Sequence, residues 1–107
     1  MRGLNKIYPG GKQAVCDLSL DMFRGQIFAL LGHNGAGKTT TISILTGLLA
    51  PSSGTAFFGD IDMFNDLDSL RRTMGVCPQH DVLFPDLSPA EHLRFYSMLK
   101  QVPKANI

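Results

Sequence analysis

No run of apolar residues in this chain is long enough to cross a bilayer: residues 27–31 are too few, and residues 42–50 are interrupted. Behind the charged start Met1-Arg2-Gly3-Leu4-Asn5-Lys6 there is no apolar segment of the kind a secretory signal needs, so a cytosolic setting is expected. Charge of one sign is missing too. Ten Lys and Arg against nine Asp and Glu leave a formal +1, and no basic cluster exceeds the pair Arg71-Arg72. A surface that tracks a nucleic-acid backbone needs more than that, so no nucleic-acid partner is expected. Cysteine is scarce: Cys16 and Cys77 lie far apart in apolar surroundings, which predicts buried thiols rather than a disulfide. Internal repeats and low-complexity tracts are absent.

What remains is ordinary globular material. Hydrophobic residues make up 44% and charged residues 18%, enough apolar content for a packed core, and 107 residues allow one such core but not two. Glycine and proline divide the chain into short elements in alternating order, which predicts an α/β fold. Residues 4–8 and 15–22 are expected as strands around the Pro9-Gly10-Gly11 turn, the second burying Cys16, Leu18, Leu20 and Met22 on one face. After the Arg24-Gly25 turn, the apolar run 27–31 suits a central strand buried on both faces. Ile42, Leu45, Leu48 and Leu49 recur at helical spacing, which predicts a helix over 39–48 ending at Gly47. Pro51-Ser52-Ser53-Gly54 predicts a turn, 55–58 a strand, 67–73 a short helix with Arg71 and Arg72 exposed, and 75–77 another strand. At Ser88-Pro89-Ala90-Glu91 a capping serine, a proline at the first helical position and a glutamate three residues past the cap predict a helix over 89–100.

Between the expected central strand and its helix stands Gly32-His33-Asn34-Gly35-Ala36-Gly37-Lys38-Thr39, a match to G-x-x-x-x-G-K-[ST] in the context this motif needs. Glycines let successive backbone N–H groups turn inward around phosphate oxygens. The helix N-terminus behind them adds unpaired donors and a partial positive charge. This predicts a nucleoside triphosphate, ATP first, bound by loop 32–39. Lys38 would reach the β- and γ-phosphates, the Thr39 hydroxyl would ligate Mg²⁺, and Thr40 would offer a further hydroxyl. His33 is assigned backbone donation alone. The bland alternative is a glycine turn that happens to precede a lysine, which chance alone would produce in roughly a few per thousand chains of this length.

These residues, with Leu45-Thr46-Gly47-Leu48 and Pro51-Ser52-Ser53-Gly54, resemble the nucleotide-binding domain of ABC transporters over nearly the whole chain. Residues 75–84, Gly-Val-Cys-Pro-Gln-His-Asp-Val-Leu-Phe, and the following Leu87-Ser88-Pro89-Ala90-Glu91-His92-Leu93 are similar to the A subfamily, whose characterised members move lipids. The resemblance implies a P-loop NTPase fold, here a partial ABC-type ATPase domain with antiparallel edge strands and an incompletely covered core. It implies that Tyr8 stacks on adenine, the alternative being an ordinary strand tyrosine. Gln79 matches the glutamine that contacts Mg²⁺ and water and relays nucleotide state, the alternative being a polar loop residue. Residues 81–87 would dock on a transmembrane partner, unless Val82, Leu83 and Phe84 belong to the core.

The same family carries a signature segment, a Walker B strand ending in Asp-Glu and a switch histidine, and this chain has none of them after Gln79. Asp60, Asp62 and Asp81 follow no apolar strand and have no adjacent glutamate to orient water, so none is assigned to catalysis. Cys77 and His80 form one C-x-x-H without a second pair and are not assigned to a metal. His92 is expected to be solvated or half-buried on its helix. Residues 1–107 are therefore expected to be the front of a larger ATPase domain, binding Mg-ATP while hydrolysis belongs to the parent. That parent would be an exporter at the cytosolic face of a membrane, with a transmembrane domain and a second nucleotide-binding domain as partners. A noncatalytic nucleotide-binding module and a soluble ABC protein without a transporter are the rivals.

Overall fold

The computed structural model describes all residues, Met1–Ile107, and divides them into two compact units, Met1–Gly75 and Val76–Ile107. In the first unit, strands β1 (Arg2–Ile7) and β2 (Gln13–Leu18) form an antiparallel hairpin. Its turn holds Gly10 and Gly11 at φ +94° and +86°, conformations that a side chain would resist. Strand β3 (Ser53–Thr55) joins the other edge of β1, so the sheet order is β2-β1-β3. A β-carbon on Gly54 would run into the Gly3 carbonyl and lie 2.7 Å from the Leu4 Cα, so β3 approaches β1 this closely only because it has glycine there.

The strand expected over 15–22 ends at Leu18, and its burial phase is shifted. Asp17 sits at φ +44° and the register slips between Leu4 and Lys6, so a bulge turns Val15 inward and leaves Cys16 exposed. Asn5 holds this irregularity: its Oδ1 accepts the Asp17 N–H at 2.9 Å. Cys77 is exposed as well, so neither thiol is buried.

Helix α1 (Lys38–Leu45) closes at Gly47, φ +72°, where the Leu48 N–H reaches back to the Ser43 carbonyl at 2.9 Å. The strand expected over 55–58 is broken at the buried Ala56, so that Phe57–Phe58 (β4) pairs with Ile61–Asp62 (β5) in a separate small sheet. Helix α2 (Leu67–Thr73) begins at Asp66, whose carboxylate accepts the Ser69 N–H at 3.2 Å. Its Leu70 packs with Ala56 and Met63 into the core, flanked by Met1, Leu45, Phe64, Leu67 and Met74.

Two expected strands do not form. Residues 27–31 are unpaired, with Ile27 fully exposed and Leu31 87% exposed, and residues 75–77 make no ladder. An apolar run survives as an interior strand only when neighbouring strands satisfy its backbone and other layers cover both faces. The antiparallel edge expected of the sheet is present as β2-β1-β3, and no strand pairs in parallel. The core is incompletely covered, as expected: six hydrophobic residues are buried and twenty large ones are exposed.

The second unit is built on helix α3 (Pro89–Leu99), and its capping box is complete. The Ser88 N–H and hydroxyl donate to the Glu91 carboxylate at 2.8 and 2.6 Å, while Ser88 Oγ accepts from the Glu91 N–H at 3.4 Å. His92 is buried, not solvated. It accepts the Phe84 N–H on Nε2 at 2.8 Å, and its Nδ1–H donates to the Ser88 carbonyl at 2.9 Å. Phe84 stacks on the same ring and meets Phe95 edge-on, and the Tyr96 hydroxyl donates to the Val82 carbonyl at 3.0 Å. Val82, Leu83 and Phe84 nonetheless remain 46–68% exposed.

The Ser88 hydroxyl first, and the Ser88 N–H second, hold the Glu91 carboxyl below its ordinary range. Because the folded value is depressed, the stabilisation is present above the unfolded carboxylate range and disappears as pH falls through the folded value. Helicity from α3 should therefore drop at acid pH in circular dichroism, and in Glu91→Gln that acid-induced step should be much smaller. In the first unit, Leu70→Ala should cost about 2–5 kcal/mol in denaturant unfolding, because it empties a fully buried site in a small core.

Candidate functional site

Loop 32–39 lies against the hairpin. Loop 32–39 turns through Gly35 at φ +84° and Gly37 at φ +93°, and the Ala36 N–H donates to the His33 carbonyl at 3.1 Å. At Gly35 an added β-carbon would meet nothing within 4 Å. At Gly37 it would collide with the Ala14 carbonyl of β2 and come 3.7 Å from a Val15 methyl, so the strand is the wall that seats the loop. Sequence reasoning missed this contact, for which the loop motif alone carries no signal. A cavity of about 400 Å³ beside it is lined by Gln13, Cys16, Leu30, Gly37, Lys38 and Thr41 among others.

Lys38 opens α1 and curls back over the loop, its ammonium donating to the Gly32 carbonyl and to the His33 carbonyl at 2.9 Å. The positive charge is thereby held over the same backbone whose glycines turn. His33 donates from Nδ1 to the Asn34 carbonyl at 2.8 Å and is exposed. Thr39 stands exposed in the first turn, and Thr40 is half-buried.

The three helices start differently. Helix α2 has its Asp66 cap and Asp68 in the first turn; α3 has its Ser88 cap and Glu91. Helix α1 begins at Gly37 with no side-chain cap and no acidic residue in its first turn. Its leading N–H groups and the dipole they terminate are left to something other than the chain's own carboxylates. With Lys38 beside them, such an end has the chemistry to hold an anion with several oxygens.

Tyr8 lies at the same end of α1. Its hydroxyl is 3.2 Å from the Thr40 hydroxyl, and the Lys6 ammonium sits 5.6 Å from its ring centroid while donating to the Ala50 carbonyl at 2.7 Å. Lys6 went unremarked in the sequence, although two residues apart on an extended chain share a face. Gln79 belongs to the second unit, at an exposed bend. No group of three His, Cys, Asp or Glu side chains is placed to hold a metal, so an all-protein cage is absent. At the start of α1 the Thr39 hydroxyl is the group that could hold Mg²⁺ carried on phosphate oxygens.

The model of the ABC transporter family matches residues 15–106. The chain belongs to that family. Over 103 residues it is 50% identical to the phospholipid-transporting ATPase ABCA3 of Homo sapiens, covering 94% of this chain and 6% of that protein. It is 52% identical over 101 residues to the retinal-specific phospholipid-transporting ATPase ABCA4 of Homo sapiens, again 94% of this chain and 4% of the relative. A solved structure, the ATP binding subunit of an ABC transporter, superposes with a TM-score of 0.83 at 31% identity, over 97% of this chain and 43% of that one. The fold is thus that of part of an ABC ATP-binding domain, and the resemblance to the A subfamily holds over most of the chain. The chain spans about one-twentieth of the length of these curated relatives.

The seating of the loop makes a direct prediction. Gly35→Ala and Gly37→Ala both place a side chain in the left-handed region, a strain of about 1–2 kcal/mol. Only Gly37→Ala adds the collision with Ala14, so thermal unfolding should show it clearly less stable than Gly35→Ala.

Proposed function

We propose that this chain binds Mg-ATP as the front portion of an ABC transporter nucleotide-binding domain, residues 1–107. The observation that carries the reading is the start of α1, the one helix of the three with neither a side-chain cap nor an acidic first turn, set behind a glycine loop with Lys38 across it. In this reading the backbone of Gly32, His33, Asn34, Gly35, Ala36 and Gly37 and the first turn of α1 donate to phosphate oxygens, and Lys38 leaves its carbonyl partners to neutralise the β- and γ-phosphates. Thr39 contributes its hydroxyl to Mg²⁺, whose chemistry when bound is to bridge and neutralise phosphate oxygens. Thr40 adds a second hydroxyl. Tyr8 offers a ring face to adenine, and Gln79 keeps the metal and water role that the family resemblance implies for it.

Binding and not turnover is assigned to these residues, since none of them carries a carboxylate that could orient water. In the parent protein, hydrolysis would be coupled to movement of a lipid across a membrane, a reading supported by relatives named as phospholipid-transporting ATPases. The partners would be a transmembrane domain, docked on residues 81–87, and a second nucleotide-binding domain, all at the cytosolic face. The exposed Val82, Leu83 and Phe84, pinned to α3 through His92 and Tyr96, support such a docking role.

Calorimetric titration of the chain with Mg-ATP tests the central reading. Lys38→Ala should weaken binding by tenfold or more, on the order of the 1.5–3 kcal/mol that a hydrogen bond to a charged group contributes. Phosphate release should be absent from both proteins. Equal affinity in wild type and Lys38→Ala would refute the phosphate loop.

A further inference from the structure

The hydroxyl of Thr40 has no helical carbonyl four residues back, because Ala36 lies ahead of the cap Gly37. Thr41, Thr46 and Thr73 each donate to the carbonyl four residues back, Gly37, Ile42 and Ser69, at 2.9, 2.9 and 3.3 Å. That back-bond is the default for a threonine in or at the end of a helix. Thr40 instead pairs with Tyr8, 32 positions away, at 3.2 Å and half-buried. The Tyr8 ring is steadied on one face by the Lys6 ammonium, itself anchored on the Ala50 carbonyl.

A hydroxyl has one proton and can accept as well as donate. Either hydroxyl can donate across this contact; in the arrangement favoured by the more acidic phenol, Tyr8 donates to Thr40 Oγ1 and leaves the threonine proton free to point elsewhere. Hydroxyls linked in this way polarise one another, which makes the outer one a better donor. Thr40 is the third residue of α1, directly after Lys38 and Thr39, at the end of the helix that favours an anion.

We propose that Tyr8 is a positioning residue for phosphate: its hydroxyl fixes the Thr40 side chain and aims the Thr40 proton at the oxyanions held by the loop. The residue expected to meet the base thus also sets a phosphate ligand, and the two ends of the nucleotide are recognised by one linked pair. This rests on the nucleotide-binding reading given above.

The test separates ring from hydroxyl and base from phosphate. Affinities for Mg-ATP and for Mg-tripolyphosphate, which has no base, are measured by calorimetry for wild type, Tyr8→Phe, Thr40→Val and the double variant, each checked for folding by circular dichroism. Tyr8→Phe keeps the ring, so it should weaken both ligands by the same factor, about three- to tenfold for one hydrogen bond. The double variant should be no weaker than Thr40→Val, and in a Thr40→Ser background, which retains the hydroxyl, Tyr8→Phe should again cost its full factor. Tripolyphosphate binding by Tyr8→Phe equal to wild type, or losses that multiply in the double variant, would overturn the linkage. Should Tyr8→Ala then weaken ATP alone, nucleotide binding stands and Tyr8 only stacks. A folded wild type that binds neither ligand removes both readings.

Discussion

Everything at the candidate site depends on the backbone of Gly37 lying against the Ala14 carbonyl of β2. That contact sets where the loop turns, and with φ at +93° it sets the direction in which α1 leaves. Lys38 and the two threonines after it follow from that direction. A glycine is required there for two independent reasons, conformation and space, whereas Gly35 has only the first. The hairpin thereby serves as the abutment for an anion site, and its own shape is held by Asn5 at the Asp17 bulge.

The electrostatics of the helix starts are economical. Helices α2 and α3 satisfy their own leading amides with Asp66 and Ser88, and place Asp68 and Glu91 in their first turns. Such ends are closed to outside anions. Helix α1 alone is left open, and its nearest cation is held over the loop by carbonyls that a stronger acceptor can replace. This difference among the three α-helices sets the start of α1 apart from the other two without reference to any relative.

The second unit has a different logic. Here a buried histidine uses both ring nitrogens to join the segment before α3 to the helix itself, and Tyr96 adds a second tie at Val82. The apolar side chains between these ties point partly to solvent, so their backbone is ordered while their surface stays available. A loop held in this manner can present a fixed shape to a partner at little entropic cost.

Local chemistry in the sequence was sufficient for the phosphate loop, for α2 and α3, for the hairpin turn and for the glycine stop of α1, because each is decided by residues within one or two turns of each other. The family and its A-subfamily character were legible for the same reason, in contiguous motifs. Where the sequence misled, the deciding partner was distant or absent: the apolar run 27–31 has strand composition and no neighbour to pair with, and Cys16 lost its buried place to Val15 through a bulge that Asn5 holds from the adjacent strand. His92 is held by Phe84, eight residues before it, as well as by the Ser88 carbonyl at the start of its own helix. The Gly37–Ala14 abutment and the Tyr8–Thr40 pair join residues more than twenty positions apart, and only the tertiary structure, by closing the hairpin onto the start of α1, could decide them.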